Sequence, residues 1–360
     1  MKREDIARRR MGNHHLWGRP FQSPLDVIHH LGAAQAQDFG IAKWSVAQRA
    51  RGISNSGMDE LFSDGAVLRT HLLRPTWHFV LPSDIRWMLD LTAPRVHSMN
   101  APYYRRFGLN DELFDKTNAL LARILRGGRQ LTRKEISEVL DREGITASGL
   151  QLGYILMRAE LDALICSGAL KGKQQTYALF EERVPETEVL DRDEALAELT
   201  RRYFTARGPA TVKDYVWWSS LTTRDARSGI QMIESELRSE SIDGRRYWFA
   251  KASPKPRATA TVIDLVQGLD ECIVSYSESK DVLYPPSMTA AVPPGEIVFN
   301  HVILLNGQLI GQWRPVAVRS SVVVETRFYR RLDREEEDAL GAAVGRYGAF
   351  LSKPAASTFL

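Results

Sequence analysis

Apolar residues in the middle of the chain recur at helical spacing. An amphipathic helix is predicted over 111–125, and Thr132 caps a shorter helix that Gly144 ends. The apolar residues of a longer third helix keep a 4-3-4-3 spacing: Leu150, Tyr154, Met157, Leu161 and Leu164. A hairpin around Gly172 completes the series. Three helices followed by a hairpin predict a winged helix-turn-helix unit.

The same pattern recurs further along the chain. Residues 194–205 predict a helix, and Gly208–Asp214 parallels Arg129–Glu135, because in both segments a Thr precedes a short helix and a Lys–acid pair lies two residues on. A hairpin around Gly244 closes this copy, so the two copies count as an internal repeat. The N-terminal helices, with two strands predicted over 67–81, form a third and more diverged copy.

From about residue 256 the pattern changes to that of a sheet. Asn306-Gly307 lies between two apolar runs and predicts a two-residue hairpin turn, and a closing helix is predicted over 333–350. The predicted strands cover 260–266, 271–276, 297–305, 308–313 and 321–329, and a loop covers 284–295. The fold class is therefore α+β: tandem winged helix-turn-helix units plus a C-terminal antiparallel β domain.

These elements divide the chain into four predicted segments. The first is an N-terminal winged-helix-like unit over 1–105, and a second winged helix covers 106–185. A third winged helix covers 186–255. The antiparallel β domain with its closing helix takes 256–360.

The amino-acid composition indicates a globular protein and excludes several kinds of cysteine site. The 360 residues are 44% hydrophobic and 26% charged, which is typical of a globular protein. Two cysteines, Cys166 and Cys272, exclude a disulfide framework, a Cys₄ zinc site and a four-cysteine iron–sulfur cluster. The paired histidines at 14–15 and 29–30 lack metal-ligand spacing, so we expect no metal and no cofactor.

Charge and hydropathy bear on partners and location. The net charge of +4 permits nucleic acid as a partner without requiring it. The basic N-terminus has no apolar run behind it, and no run of about 18 apolar residues occurs, so neither a secretory signal nor a membrane span is predicted. We expect a cytoplasmic, nucleoid-associated protein. We also expect a monomer, because the predicted winged-helix units are already joined in one chain.

The most unusual stretch is Gly32–Gly40, in which small residues precede Gln35 and Gln37. On extended backbone, a spacing of two places both amides on one face of the strand. The Gly and Ala residues beside the two glutamines leave room for another molecular chain to approach the backbone closely. The alternative is that both glutamines are ordinary polar residues at the C-terminus of a helix.

Several short motifs together resemble one family. Gln35-Ala36-Gln37 resembles the Gln-aliphatic-Gln catalytic motif of the AlkZ-like DNA glycosylases, in the Gln-x-Gln branch. Arg74–Val80 resembles the Arg-x-Thr-x-His-type strand of that family. Arg207–Thr211 and Leu269–Glu271 match further motifs, so that the resemblance spans roughly 23 to 330. One departure is Cys272, at a position where the family tends to have tyrosine.

The resemblance implies a monofunctional DNA glycosylase. Such an enzyme removes cationic alkylated bases of the N7-alkylguanine type from double-stranded DNA, and some family members open interstrand crosslinks. It implies that Gln35 and Gln37 jointly position the attacking water, with the closer of the two left open. Arg74, Thr76 and His78 either line the DNA-facing cleft or brace the catalytic segment.

Other side chains are candidates for holding DNA. Arg133, Lys134 and Lys213 lie near the starts of the short repeat helices and are expected to contact phosphate. Tyr103 and Tyr104 are expected in an exposed basic loop, whereas Trp217 and Trp218 are expected in a core. The alternative to the enzyme is a non-catalytic winged-helix DNA-binding or regulatory protein, and a scaffold without nucleic acid is a third hypothesis.

Overall fold

The computed structural model describes residues 2–187, 189–252, 261–285 and 301–359. Contacts divide the chain into two compact units. Unit 1 comprises Met1–Met58, Ala197–Trp218 and Thr222–Leu360, and unit 2 comprises Asp59–Leu196 and Ser219–Leu221. The division of the chain into four smaller segments stays a prediction.

Helices and strands occur largely in separate runs, as expected of an α+β chain. The helices are α1 (Arg3–Asn13), α2 (Pro24–Leu31), α3 (Phe39–Ala47), α4 (Asn55–Asp64), α5 (Pro82–Arg106), α6 (Asp111–Leu125), α7 (Arg133–Arg142), α8 (Gly149–Leu161), α9 (Phe180–Arg183), α10 (Arg192–Arg207), α11 (Val212–Ser219), α12 (Thr223–Met232), α13 (Glu271–Val274) and α14 (Arg334–Leu351). The strands are β1 (Ala34–Gln35), β2 (Leu68–Leu72), β3 (Arg74–Val80), β4 (Leu131–Thr132), β5 (Ile165–Ser167), β6 (Thr176–Leu179), β7 (Leu237–Ile242), β8 (Arg245–Ala250), β9 (Ile263–Val266), β10 (His301–Leu305), β11 (Gln308–Val318), β12 (Ser321–Phe328) and β13 (Ala355–Phe359).

A five-stranded sheet in unit 1 has the order β13-β12-β11-β10-β9. Neighbouring strands are antiparallel except for β12 and β13, which are parallel. The hairpin between β10 and β11 pairs Leu305 with Gln308 across Asn306-Gly307, as predicted. Both turn residues have positive φ, 50° and 78°, which is the conformation that a two-residue turn of this kind requires. The predicted C-terminal sheet is therefore present and is antiparallel except for its β12–β13 pair.

One predicted strand is wrong. Residues 271–276 begin with the short helix α13, because the carboxylate of Asp270 accepts the backbone N–H of Cys272 at 2.9 Å and so caps a helix there. The predicted loop 284–295 and the start of the strand predicted over 297–305 fall largely on residues 286–300, which lie outside the described residues.

In unit 2, α6, α7 and α8 pack with a three-stranded sheet of order β4-β6-β5. The helices and hairpin follow one another in the predicted order, and the winged helix over 106–185 stays a prediction. Apolar side chains from the helices and from β5 form one buried cluster, whose fully buried members include Leu121, Leu125, Ile136, Leu140, Ile155 and Ile165. The predicted 4-3-4-3 stripe is wrong for α8, because Leu150 is 69% exposed and the cluster instead buries Leu152, Ile155, Leu156 and Ala159 of that helix.

The internal repeat has a local physical cause. The hydroxyl of Thr132 accepts the N–H of Glu135 at 3.2 Å, and the Glu135 carboxylate accepts the N–H of Thr132 at 2.8 Å. In the second copy, Thr211 and Asp214 exchange the same two bonds at 3.2 and 2.9 Å. Both repeats therefore start α7 and α11 with a capping box, in which the acid of the Lys–acid pair is the reciprocal partner.

Candidate active site

The glutamine segment is a short connection between two capped helices of unit 1. α2 begins at Ser23, whose hydroxyl accepts the N–H of Leu25, and it ends at Gly32, where φ is +71°. α3 begins after Asp38, whose carboxylate accepts the N–H of Gly40 at 3.1 Å. Because both flanking helices have defined ends, the segment between them has little freedom to move.

The two glutamines differ in exposure. Gln35 belongs to β1 and only 6% of its surface is exposed, whereas Gln37 is exposed. The prediction of extended backbone through both residues is wrong beyond Gln35, because residues 37 and 38 form a bend that leads into α3. The helix C-terminus of the alternative interpretation lies earlier, at Leu31. Gln37 is therefore the amide that solvent reaches.

A buried ion pair holds the backbone of this segment. Oε1 of Glu271 accepts the N–H of Gln35 at 2.8 Å. Arg207 donates to the carbonyl of Leu31 at 2.7 Å and to that of Ala33 at 3.1 Å. Nη2 of Arg207 lies 2.7 Å from Oε2 of Glu271. The pair thus binds the chain at three points immediately before the exposed glutamine.

The Arg207–Glu271 pair is fully desolvated and fully hydrogen-bonded. Arg207 is 0% exposed and Glu271 is 1% exposed. Oε2 of Glu271 also accepts Trp218 Nε1 at 2.8 Å and the hydroxyl of Ser275 at 2.8 Å, and the guanidinium carbon of Arg207 lies 4.2 Å from the Trp218 ring centre. A buried ion pair is tolerated when its remaining hydrogen-bonding capacity is satisfied in this way.

A second buried ion pair adjoins the first along the chain. Asp270 receives two bonds from Arg49, at 2.7 and 2.9 Å, and Arg49 also donates to the carbonyl of His14 at 2.7 Å. Burial alone raises the pKa of Asp270, but the Arg49 guanidinium beside it holds that pKa below its ordinary value. The consecutive acids Asp270 and Glu271 therefore fix two different parts of unit 1.

The strand β3 of unit 2 carries the other predicted site residues. His78 is 0% exposed, Arg74 is 8% exposed and Thr76 is half-buried. Nδ1 of His78 lies 2.9 Å from the carbonyl oxygen of Thr76, and its Nε2 lies 3.4 Å from Nη2 of Arg74. His78 thus has partners within β3, and both alternatives for it stay predictions. A role in DNA contact for Arg74 and Thr76 stays a prediction.

The three predicted phosphate-binding residues are on helix starts. Lys134 is 82% exposed and lies 3.8 Å from Glu138, and Arg133 precedes it at the first position of α7. Lys213 is 76% exposed and pairs with Glu278 at 2.7 Å. The two lysines are therefore surface groups, whose ion pairs are weak and easily exchanged for phosphate.

Comparison with known proteins decides the family. The "DNA glycosylase AlkZ-like" family matches residues 28–350 of this chain. The chain belongs to this family. It is thus a DNA glycosylase, a hydrolase that acts on N-glycosyl bonds.

Two individual proteins are similar to this family member. An interstrand DNA cross-link repair glycosylase of Streptomyces sahachiroi is 25% identical over 320 residues, which cover 85% of this chain and 86% of the relative. The solved structure of the Streptomyces sahachiroi DNA glycosylase AlkZ superposes with a TM-score of 0.80 over 100% of both chains, at 22% identity. The α+β fold class is therefore confirmed.

Two expectations about aromatic residues are wrong. Tyr103 is 46% exposed as expected, but Tyr104 is buried against Phe114, and both lie on helix α5 instead of in a loop. Trp218 is buried as expected, but Trp217 is 54% exposed, with its Nε1 donating to the carbonyl of Val274 at 3.0 Å. A tryptophan on a short helix need not lie in the core when its indole N–H finds a backbone partner at the surface.

The paired histidines of this glycosylase have structural partners. Nε2 of His14 lies 2.9 Å from the Tyr276 hydroxyl, and Nε2 of His30 lies 2.6 Å from the carbonyl of Asn13. Burial lowers the pKa of His30 to about 4, so it is neutral at pH 7. Within the described ranges, no group of three or more His, Cys, Asp or Glu residues is placed to hold a metal, and no helix is long and apolar enough to cross a membrane.

Sequence reasoning missed the role of Arg207 and Glu271. Both belong to stretches that resemble the family, but the sequence does not show that the two side chains meet. The available signal was an arginine and an acid, each within a short motif and beside apolar residues. Such groups are buried only when they are paired.

Proposed function

We propose that this glycosylase hydrolyses the N-glycosidic bond of cationic alkylated purines in double-stranded DNA, with N7-alkylguanine as the type substrate. The proposal extends to interstrand crosslinks, because a relative is named for their repair. The observation that carries it is the glutamine segment itself. A buried ion pair fixes its backbone, and the amide of Gln37 is exposed at its end.

Hydrolysis of this bond does not require an ionised catalytic side chain. An N7-alkylated guanine already carries a positive charge, so its bond to C1′ breaks as the base leaves neutral with the bonding electron pair. The sugar passes through an oxocarbenium-like transition state, as in other glycoside cleavages. Water then bonds to C1′ and gives its proton to solvent. A side chain that holds this water in position to attack C1′ supplies most of the catalysis that the reaction needs.

Two amides can hold such a water. The carbonyl oxygen of a glutamine accepts a hydrogen bond from water, and its NH₂ group donates one to a neighbour. We assign the direct contact with water to Gln37 because it is exposed, and the orienting role to Gln35 because it is buried and its backbone N–H is bound by Glu271. Neutral amides also lose less free energy than a carboxylate when DNA covers them.

DNA binding is assigned to the exposed cations. Lys134 and Lys213 present their ammonium groups at the surface, and Arg133 precedes Lys134 on α7. Arg74, Thr76 and His78 on β3 are further candidates for contact with the duplex. Because the helical units belong to one chain, we expect a monomer to bind one duplex.

The test uses three damaged duplexes, which carry N7-methylguanine, N3-methyladenine or an interstrand crosslink. Each is incubated with the purified protein, and alkali then cleaves the abasic sites that have formed. We expect strand cleavage with N7-methylguanine and none with the undamaged duplex. Tight, salt-dependent binding of every duplex without base release would contradict the proposal and point to a non-catalytic DNA-binding protein.

A further inference from the structure

Unit 2 contains an open cavity of about 630 Å³ beside the start of α7. Its walls come from the β2–β3 hairpin, from the first turns of α7 and α8, and from the loop between β5 and β6. Arg69, Arg133, Lys134 and Lys173 all line it, and the described lining residues include no Asp or Glu. A concave surface with charges of one sign focuses the electrostatic field on its interior.

Arg69 is a built part of this cavity. It is 7% exposed, and its guanidinium carbon lies 4.3 Å from the centre of the Trp77 ring. Its backbone N–H donates to the hydroxyl of Ser167 at 2.8 Å, and its Nη1 donates to the side chain of Gln175. A guanidinium held over an aromatic ring and by a side-chain partner is preorganised to bind an anion.

Lys173 differs from the buried Arg69 in being exposed, so that its ammonium group can bind a ligand from solvent. It lies in the turn between β5 and β6. Within the described part of the chain its ammonium group has no ion-pair partner, whereas that of Lys171, two residues earlier, pairs with Glu135 at 2.5 Å. The two lysines share one hairpin but differ in whether they face a carboxylate or the cavity.

Two helix starts add to the positive field. Thr132 and Arg133 at the beginning of α7, and Ser148 and Gly149 at the beginning of α8, are lining residues. The Ser148 side chain does not cap α8, so it leaves backbone N–H groups of the first turn for another acceptor. Helix starts carry partial positive charge and favour anions such as phosphate.

We propose that this cavity binds a phosphodiester group of the DNA backbone. In it, Arg69 holds the phosphate from the wall, and Arg133 and Lys173 approach it from the rim. The proposal rests on the proposed function for the identity of the ligand as DNA. It adds Arg69 and Lys173 to the DNA-binding surface, neither of which belongs to the helix starts that the sequence indicated.

The test compares Lys173→Ala with Lys171→Ala, which removes an equal charge from the same hairpin. Binding of an undamaged, fluorescently labelled duplex is measured by anisotropy at several salt concentrations between about 50 and 200 mM. We expect Lys173→Ala to weaken binding and to reduce the slope of log K against log salt by about 0.9, the value for one released phosphate contact. Lys173→Arg should restore the slope, and Lys171→Ala should leave it unchanged.

A second arm separates backbone phosphate from free phosphate. Thermal unfolding of the wild type and of Lys173→Ala is compared in inorganic phosphate and in chloride at equal ionic strength. A Lys173-dependent stabilisation by inorganic phosphate with an unchanged DNA slope would overturn the assignment to DNA and leave a free-phosphate site. Equal slopes for the two alanine variants, with no phosphate effect, would overturn the site altogether. Because undamaged DNA is used, a failure of base excision does not affect either arm.

Discussion

The buried ion pair of unit 1 and the open cavity of unit 2 use charged side chains differently. In unit 1, Arg207 and Glu271 are fully buried and satisfy each other and the backbone around Gln35. In unit 2, Lys134 and Lys173 are exposed along a cavity whose described lining has no carboxylate. Charges of the first kind fix geometry, whereas charges of the second kind are available to a ligand.

This contrast shows which charged motif residues are expected to contact DNA. A motif that contains Arg or Glu does not by itself indicate a ligand contact, because in unit 1 Arg207 and Glu271 bind the backbone of the glutamine segment. Burial together with the partner decides between the two uses. Substitutions of the buried and of the exposed charged residues should therefore differ in their effect on stability.

Removal of the buried carboxylate should cost the most stability. Glu271→Ala leaves the Arg207 charge buried without compensation, and we expect a loss of about 3–5 kcal/mol in the free energy of unfolding. The matched control is Glu278→Ala, which removes the partner of exposed Lys213 and should cost less than about 1 kcal/mol. Urea denaturation followed by circular dichroism measures both. Losses of equal size would show that the buried pair has no special structural role.

Acid should destabilise the protein partly through His30. Its pKa is lowered by burial to about 4, so the unfolded chain takes up a proton below about pH 6.5 while the folded chain does not. The contribution of His30 to the free energy of unfolding is therefore fully present above about pH 6.5, and about 2–3 kcal/mol of it is lost as pH falls to 4. In His30→Gln, the new amide keeps a donor for the carbonyl of Asn13, so the loss of stability between these pH values should shrink. The control is His29→Gln at the exposed neighbouring position, which should keep the wild-type dependence of stability on pH. Identical curves of unfolding free energy against pH for the wild type and both variants would refute this account.

The repeated capping boxes allow a smaller, symmetric comparison between the units. Thr132→Ala and Thr211→Ala each remove a hydroxyl that accepts a backbone N–H, and each should cost about 1 kcal/mol. Serine at either position keeps the acceptor oxygen and should recover most of the loss. Chemical denaturation of the four variants measures the effect, and alanine variants as stable as the wild type would contradict a capping origin of the repeat.

Local features of the fold were predictable from the sequence. The Asn306-Gly307 turn and the capped helix at Thr132 depend on a few adjacent residues, and both form as expected. The strand predicted over 271–276 failed for a local reason of the same kind, because the Asp270 side chain caps a helix at that point.

Long-range features of the site were not predictable. The spacing of Gln35 and Gln37 could not show that the backbone bends after Ala36, which gives the two amides different exposures. The bond between Arg207 and Glu271 joins residues 64 positions apart, and no periodicity encodes it. Such pairings depend on how the elements pack, so the sequence located the motifs without giving their roles.

The most direct test of the central claim is the single-turnover rate of base release from N7-methylguanine duplex by Gln37→Ala. The exposed Gln22→Ala of unit 1 serves as its control. We expect the Gln37 variant to lose about 10²-fold or more in rate, as expected when a positioned reactant is lost, with unchanged affinity for undamaged DNA and unchanged stability. A Gln37→Ala rate equal to that of the wild type, and of Gln22→Ala, would contradict the assignment of Gln37 to the attacking water.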